Sequence, residues 1–122
     1  MCGIAGIVQP GRDPGELRET AARMAALLAH RGPDGSGVLA DGPAALAHRR
    51  LTVIDPATGA QPMTDPTGRY HVVFNGEIYN YRELRERLRA EGLAFATASD
   101  TEVILNAYAR HGSACLDLLD GM

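Results

Sequence analysis

The chain has 122 residues, a length that suits one domain and is sufficient to bury a core without disulfides or metals. It is 45% apolar and 22% charged with a net charge of −3, so nothing indicates a basic surface for nucleic acid, and 5% aromatic residues offer no stacking platform. No apolar run is long enough to span a bilayer, and the amino end lacks the positive charge and the longer apolar stretch of a signal peptide.

The first half of the chain predicts a strand, a helix and a hairpin. Residues 2–8 are short, apolar and partly β-branched, which favours a buried strand. Residues 13–32 predict a helix with Asp13 as N-cap, Pro14 in its first turn and Glu16 as capping partner, ended by Gly32. Residues 37–55 predict two strands around the Asp41-Gly42 turn, followed by a loop over 56–68. The apolar stripe of the helix comprises Leu17, Ala21, Met24 and Leu28.

The second half predicts strands and helices in irregular alternation. We expect a strand over 69–76, a helix over 80–92 capped by Asn80 with Glu83, and a short strand over 93–98. A third helix follows over 99–112, with Ser99 and Glu102 spaced as a capping box, and 113–122 predict one or two further helical turns. This order favours an antiparallel or mixed sheet with helices packed on it over a doubly wound nucleotide-binding fold.

Cys2 directly follows the initiator methionine. Removal of Met1 would leave a thiol and an α-amine on one residue, and an α-amine with a pKa of about 7.7 to 8 can accept the thiol proton near neutral pH. N-terminal nucleophile enzymes use this arrangement. Taken alone, the Met-Cys start favours the alternative that Cys2 is a small apolar residue that opens a strand, which is the commoner use of such cysteines. With two cysteines and no close metal spacing, we expect reduced thiols in the cytoplasm.

Several longer stretches decide between these alternatives. They are MCGIAGIV at the start, RGPDGSG at 31–37, AHRRLTVID at 47–55, FNGEIYNYREL at 74–84 and SDTEVIL at 99–105. In this order the chain resembles, from residue 1 to residue 122, the N-terminal class II amidotransferase domain of the glutamine-hydrolysing asparagine synthetases. The resemblance implies that Cys2 is an N-terminal nucleophile.

The resemblance also implies a fold and a reaction. The fold is α+β, an Ntn-hydrolase αββα sandwich of two antiparallel sheets between helical layers. In the reaction, Cys2 attacks the side-chain amide of glutamine, ammonia leaves, and water hydrolyses the γ-glutamyl thioester to glutamate. The ammonia would then amidate aspartate that a second domain has activated with ATP.

Asn75 and Gly76 match the oxyanion pair of the family, through an amide side chain and a backbone N–H. Without the surrounding motif, the same Asn-Gly pair would predict only a tight turn. The α-amine of Cys2 fills the role of base, so we expect His48 to be structural. Arg31–Asp34 resemble a shaped loop near the site.

Free glutamine carries a carboxylate and an ammonium, and the resemblance assigns residues to both. Arg50 matches the arginine that grips the carboxylate, which a planar guanidinium can do bidentately. Arg49 departs from members that have an acidic residue at its position, so the alternative that Arg49 binds the substrate stays open. The backbones of Leu51 and Val53 are expected to line the same pocket.

Asp100 matches the aspartate that takes the ammonium, and Glu77 is a weaker candidate for the same group. The alternative for Asp100 is a negative charge that merely favours a helix N-terminus. Cys115 lies on an apolar stripe and is expected to pack rather than react. No metal site is expected.

Other functions are compatible with parts of this pattern. A related amide-forming enzyme with another acceptor would have the same domain, and some relatives retain it as a non-catalytic scaffold without the N-terminal cysteine. A thiol redox or metal-binding module built on Cys2, Cys115 and His48 is disfavoured, because the sequence has no C-x-x-C pattern and no clustered ligands.

The resemblance further implies parts outside the sequence. We expect residues 1–122 to be the N-terminal part of the amidotransferase domain, with a remaining core strand and a synthetase domain beyond it. This chain itself would need no cofactor, because ATP and Mg²⁺ would bind to the synthetase domain. The whole enzyme could form a homodimer. The partners expected are glutamine and that synthetase domain.

Overall fold

The computed structural model describes residues 1–55 and 57–122. In chain order the elements are β1 (Gly3–Val8), α1 (Pro14–Leu27), β2 (Gly35–Asp41), β3 (Ala44–Arg50), β4 (Met63–Thr64), β5 (His71–Val72), α2 (Tyr81–Ala90), α3 (Asp100–His111) and a 3-10 helix (Gly112–Leu118). The described residues therefore form an α+β fold with antiparallel sheets, as predicted. Among those residues, no helix combines the length and apolar character needed to cross a membrane.

The first half folds around a three-stranded antiparallel sheet in the order β1-β3-β2. The predicted hairpin is confirmed: Asp41 pairs with Ala44, and Gly42 adopts a φ of 51° in the turn between them. Helix α1 covers one face of this sheet. The apolar residues between them, called here the sheet cluster, are Leu17, Ala21, Ala25, Ala45 and Ala47. Alanines at the centre of β3 allow the helix to lie close to the strand.

Helix α1 begins as predicted but ends early. The Asp13 carboxylate accepts a hydrogen bond from the Glu16 backbone N–H at 3.1 Å, while the Glu16 side chain pairs with Arg12 instead of reaching back. The helix ends at Leu27, not near Gly32, because Gly32 lies directly against β3. A Cβ at Gly32 would lie 2.3 Å from the backbone carbonyl carbon of Arg49.

The second half packs around the three helical segments that follow β5. Its apolar core, called here the helix cluster, comprises Leu84, Leu88, Val103, Ala107 and Cys115. Cys115 is buried in this cluster, as its packing role predicted. The predicted stop of α2 is confirmed at Gly92, which has a φ of 92° just beyond the helix.

The strand predicted over 69–76 is mostly wrong. Only His71–Val72 form a strand, paired with Met63–Thr64 from the predicted loop. The Asp65 carboxylate holds residues 65–70 in a turn by accepting hydrogen bonds from the Thr67 hydroxyl and from the N–H groups of Tyr70 and Thr67. These bonds, that of the Thr67 hydroxyl most of all, lower the pKa of Asp65 to about 2. Beyond β5 the chain leaves the strand conformation and enters the site.

The strand predicted over 93–98 is also wrong, because α3 takes its backbone groups. The Glu102 carboxylate accepts hydrogen bonds from the N–H groups of Ala96 and Thr97 at 2.8 and 2.7 Å. Glu102 therefore does not complete the predicted capping box, although Ser99 does cap α3 by accepting from the Thr101 N–H.

Asn80, the residue predicted to cap α2, has a different role. The side chain of Asn80 makes no cap hydrogen bond. Instead it donates to the Leu118 carbonyl at 2.9 Å and accepts from the Asp120 N–H at 3.0 Å. Asn80 thereby ties the end of the chain to the start of α2, and the predicted helical turns over 113–122 become the 3-10 helix and a short extended segment.

Candidate functional site

A cavity of about 200 Å³ lies between the sheet and the helical half of the molecule. All of the predicted site residues line it, although they come from separate parts of the chain. They are Cys2, Arg50, Leu51, Val53, Asn75, Gly76, Glu77 and Asp100. The fold therefore brings together the nucleophile, oxyanion and substrate-binding candidates in one place.

Cys2 is held at the cavity by the end of β3. Gly3 pairs with Arg49 in the sheet, so the residue before it lies beside the residues that follow β3. The Cys2 Sγ is 3.3 Å from the Leu51 backbone nitrogen, which donates to it, and 3.5 Å from the Leu51 carbonyl oxygen. These contacts hold the sulfur in a fixed place, with the donor N–H of Leu51 directed at it.

Residues of the RGPDGSG segment hydrogen-bond to Cys2 and to the chain at the end of β3. The Arg31 guanidinium donates to the Cys2 carbonyl at 3.1 Å. The Asp34 carboxylate accepts from the Thr52 N–H at 2.7 Å, and the Asp34 N–H donates to the Arg50 carbonyl at 2.9 Å. The loop thus grips both the nucleophile and the segment after β3, which agrees with the expected shaping role.

The two neighbouring arginines at the end of β3, Arg49 and Arg50, have different surroundings. Arg50 lines the cavity and donates to the carbonyls of Ile54 and Asp55. Arg49 donates from Nε to the Gly32 carbonyl at 3.1 Å and is not among the residues that line the cavity. The geometry favours Arg50 over Arg49 as the cation that faces a ligand.

Asn75 and Gly76 lie in irregular backbone on the cavity wall. Gly76 has no room for a side chain, since a Cβ there would lie 2.2 Å from the Met122 carbonyl oxygen and 2.6 Å from the Phe74 ring. Only glycine can therefore pass between Phe74 and the final residue. The adjoining Glu77 pairs with Met122 through reciprocal backbone hydrogen bonds, both 2.9 Å.

Asp100 is the first residue of α3, and its side chain faces residues 75–78. It is buried, and its carboxylate accepts from the Ile78 N–H at 3.1 Å. The residue therefore both organises the 75–78 segment and contributes a negative charge to the cavity. Its position also fits the predicted alternative, because a carboxylate at a helix N-terminus is favourable.

His48 lies beneath the site in β3. Its side chain is 1% exposed, and its Nε2 has no hydrogen-bond partner among the described residues. Burial lowers the pKa of His48, the nearby Arg50 charge lowers it further, and a hydrogen bond with the Phe74 backbone partly opposes both. These effects together favour the neutral imidazole, which does not line the main cavity.

Sequence reasoning missed several residues on the cavity wall. Gln61 is the most informative of them, because it comes from the segment predicted as a plain loop and has no neighbouring motif that would mark it. The other unpredicted lining residues are Met1, Ile54, Gly59, Phe74, Ser99, Thr101 and Met122.

The two thiols have different environments. Both cysteines are unpaired, but Cys115 is buried in the helix cluster and Cys2 is partly exposed at the cavity. Burial, with a contribution from Asp117, raises the pKa of Cys115 and so disfavours its reactive thiolate. Across residues 1–55 and 57–122, no three His, Cys, Asp or Glu side chains are grouped as metal ligands.

Comparison with known proteins agrees with the geometry. The profile of the glutamine amidotransferase domain matches residues 1–122. The chain is 43% identical over 122 residues to asparagine synthetase [glutamine-hydrolyzing] 1 of Arabidopsis thaliana and to asparagine synthetase B [glutamine-hydrolyzing] of Escherichia coli (strain K12). It is 40% identical over 124 residues to asparagine synthetase [glutamine-hydrolyzing] 1 of Bacillus subtilis (strain 168).

These alignments cover this chain completely and its relatives only in part. They include 100% of this chain but 20% of the Arabidopsis and Bacillus proteins and 22% of the Escherichia protein. The match of the family profile from the first residue to the last, together with a cavity lined by the residues that the motifs supply, identifies the chain as a member of the glutamine amidotransferase domain family.

Proposed function

We propose that this chain is the glutaminase part of a glutamine-dependent asparagine synthetase. One observation carries the proposal: Cys2 opens onto the same cavity as Arg50, Asn75 and Asp100. This set provides a nucleophile, a cation, an amide donor and an anion around one space. Free glutamine has the complementary groups, namely an electrophilic amide, a carboxylate and an ammonium.

The proposed reaction begins after removal of Met1. The α-amine of Cys2 takes the thiol proton, directly or through one water, and the thiolate attacks the side-chain carbonyl carbon of glutamine. The carbonyl oxygen then becomes an oxyanion, stabilised by the Asn75 side-chain amide and the Gly76 N–H. The proton returns to the leaving nitrogen, the C–N bond breaks and ammonia departs. Water next attacks the γ-glutamyl thioester, which releases glutamate and restores the thiol.

Substrate recognition would use charge at both ends of the cavity. The Arg50 guanidinium would bind the α-carboxylate, and Asp100 would bind the α-ammonium with help from Glu77. Leu51 and Val53 would line the pocket between these charges. Arg50 already braces the loop after β3 through the Ile54 and Asp55 carbonyls, so the same side chain would shape the pocket and bind the substrate.

The proposal for the whole protein goes further. A synthetase domain outside this sequence would hold ATP and Mg²⁺ and use the ammonia to amidate aspartate, in a cytoplasmic, homodimeric enzyme. Within the domain, further strands would extend the sheets into the four-layer Ntn-hydrolase sandwich. Exposed apolar side chains on β1, Ile4 at 46% and Val8 at 72%, support a further covering layer.

Mass spectrometry tests the nucleophile directly. The full-length enzyme is incubated with a diazoketone analogue of glutamine, and its intact mass and peptides are measured. We expect the mass to lack Met1 and the label to be on Cys2, because a retained methionine would block the amine. Cys115 serves as the internal control, since its buried thiol should stay unmodified. Active enzyme that retains Met1, or equal labelling of both cysteines, would contradict the proposal.

Charge removal tests the binding roles. Asp100→Asn keeps an oxygen for the Ile78 N–H but removes the negative charge, so we expect the KM for glutamine to rise by roughly 10- to 100-fold with a smaller change in kcat. The magnitude follows from a charged hydrogen bond worth about 1.5 to 3 kcal/mol. Arg50→Gln should raise KM to a similar extent, measured as initial rates of glutamate release.

A neighbouring variant provides the control for Arg50. Arg49→Gln retains an N–H donor for the Gly32 carbonyl and removes an equal charge one residue away. Its KM should stay within about threefold of wild type, since Arg49 does not line the cavity. A larger effect of Arg49→Gln than of Arg50→Gln would transfer the carboxylate-binding role to Arg49.

A further inference from the structure

We propose that Gln61 is a positioning residue for glutamine hydrolysis. Its side-chain amide links the segment Phe74–Gly76, called here the oxyanion segment, to the amino end of α3, which carries Asp100. The inference rests on the proposed glutaminase function and assigns a role within it to a residue from a segment that the sequence predicts to be a plain loop.

The link consists of hydrogen bonds from both ends of one amide. The Gln61 Oε1 accepts from the Phe74 N–H at 2.6 Å, and its Nε2 donates to the Thr101 Oγ1 at 3.1 Å. The orientation of the amide is fixed, because a backbone N–H can only donate and must therefore face the oxygen. Thr101 is 2% exposed, so the far end of the link is anchored in the interior.

The oxyanion segment needs such a support because it is not part of a sheet. Strand β5 ends at Val72, so the Phe74 N–H lies beyond the strand ladder. Gln61 supplies the acceptor that a neighbouring strand would otherwise provide. The backbone just before Asn75 is therefore held by a side chain.

Gln61 is itself fixed by the first sheet. A Cβ at Gly37 would lie 2.0 Å from the Gln61 carbonyl oxygen, so strand β2 and the Gln61 backbone are in close contact. Gly37, the last glycine of the RGPDGSG motif, is thus required for this close contact. A chain of contacts runs from β2 through Gln61 to the oxyanion segment and to α3.

The consequence for catalysis is geometric. Oxyanion donors act only when they lie within hydrogen-bonding distance of the developing charge, and errors near 1 Å can cost on the order of 10²-fold in rate. Because its oxygen accepts from the Phe74 N–H and its nitrogen donates to Thr101, the role assigned to Gln61 is exercised through Phe74. Loss of the link should therefore impair turnover more than binding.

A double-mutant cycle in the full-length enzyme tests the link. Gln61→Met keeps the length of the side chain but removes both hydrogen bonds, and kcat should fall by roughly 10- to 100-fold with KM within about threefold. Thr101→Val removes only the far anchor and should lower kcat less, while Thr101→Ser keeps the hydroxyl and should match wild type. In the Gln61→Met background, Thr101→Val should cause no further loss.

A second measurement separates positioning from a general loss of folded protein. Glutamate γ-semialdehyde adds the Cys2 thiol to its aldehyde carbon, forming a C–S bond and a hydroxyl that mimics the oxyanion. Gln61→Met should weaken inhibition by the semialdehyde about as much as it lowers kcat, and leave inhibition by glutamate unchanged. Partial unfolding would reduce the number of active molecules without altering either inhibition constant.

The outcomes are distinct. Wild-type kcat and semialdehyde affinity in Gln61→Met would overturn the inference, as would a raised KM with unchanged kcat, which would make Gln61 a substrate contact. Unchanged inhibition constants with lowered kcat would also overturn it. A wild-type enzyme without Cys2-dependent glutamate release would instead reject the proposed function, and the inference with it.

Discussion

Cys2→Ala is expected to abolish glutamine-dependent activity in the full-length enzyme while leaving synthesis from added ammonia intact. The thiol is needed only to release ammonia from glutamine, and the chemistry that consumes ammonia would belong to the synthetase domain. We expect glutamate release to fall by at least about 10³-fold, since removing a catalytic nucleophile costs about 10⁶-fold in subtilisin. Both activities are measured on the same preparation, by glutamate and asparagine formation.

Cys115→Ala is the matched control for this result. It removes the other thiol from the helix cluster, so it should lower stability by leaving a small cavity but keep the glutamine-dependent kcat per folded molecule. Substantial glutamate release by Cys2→Ala would reject covalent catalysis by this residue. Loss of the ammonia-dependent activity as well would point to a structural role for Cys2 at the end of β3.

Asn75→Ala is expected to lower the kcat for glutamine by about 10² to 10³-fold with little change in KM. The side-chain amide would contact the substrate oxygen mainly once that oxygen has become charged, and loss of one oxyanion donor in subtilisin has an effect of this size. Steady-state kinetics of glutamate release provide the measurement.

Asn80→Ala gives the comparison for Asn75, because it removes an asparagine that only ties the chain together. Asn80 bonds to Leu118 and Asp120, so its loss should lower the unfolding midpoint and leave kcat and KM per folded molecule near wild type. If Asn75→Ala raised KM with kcat unchanged, Asn75 would be a binding group, and the oxyanion role would have to pass to other donors.

The sequence predicted some features well because they depend on local pattern. Asp13 caps the start of α1, the Asp41-Gly42 turn joins β2 to β3, and Gly92 lies just after α2. The candidate site residues were found differently, through motifs that resemble a family. The structure brings these residues to one cavity, while their individual chemical roles stay predictions for the experiments above.

The failed predictions have a common physical cause. Residues 69–76 and 93–98 have the apolar, β-branched and aromatic composition of strands, but side chains from outside each segment accept hydrogen bonds from its backbone N–H groups. Gln61 takes that of Phe74, and Glu102 takes those of Ala96 and Thr97. The Gln61 contact spans 13 residues in sequence, whereas Glu102 lies only five and six residues beyond Thr97 and Ala96. Strand propensity alone predicts neither contact, because propensity does not describe which side chain accepts a backbone N–H. The same contacts explain why Gln61 was missed.

The separation of the sheet cluster from the helix cluster has a consequence for how the protein would lose function on heating. Cys2 and Arg50 belong to the half of the chain that holds the sheet cluster, and Asp100 to the half that holds the helix cluster. The site therefore spans the boundary between two separately packed cores. A small opening along that boundary would disperse the site while both cores kept their helices and strands. Thermal inactivation should therefore precede the loss of circular dichroism, as local openings cost less free energy than global unfolding.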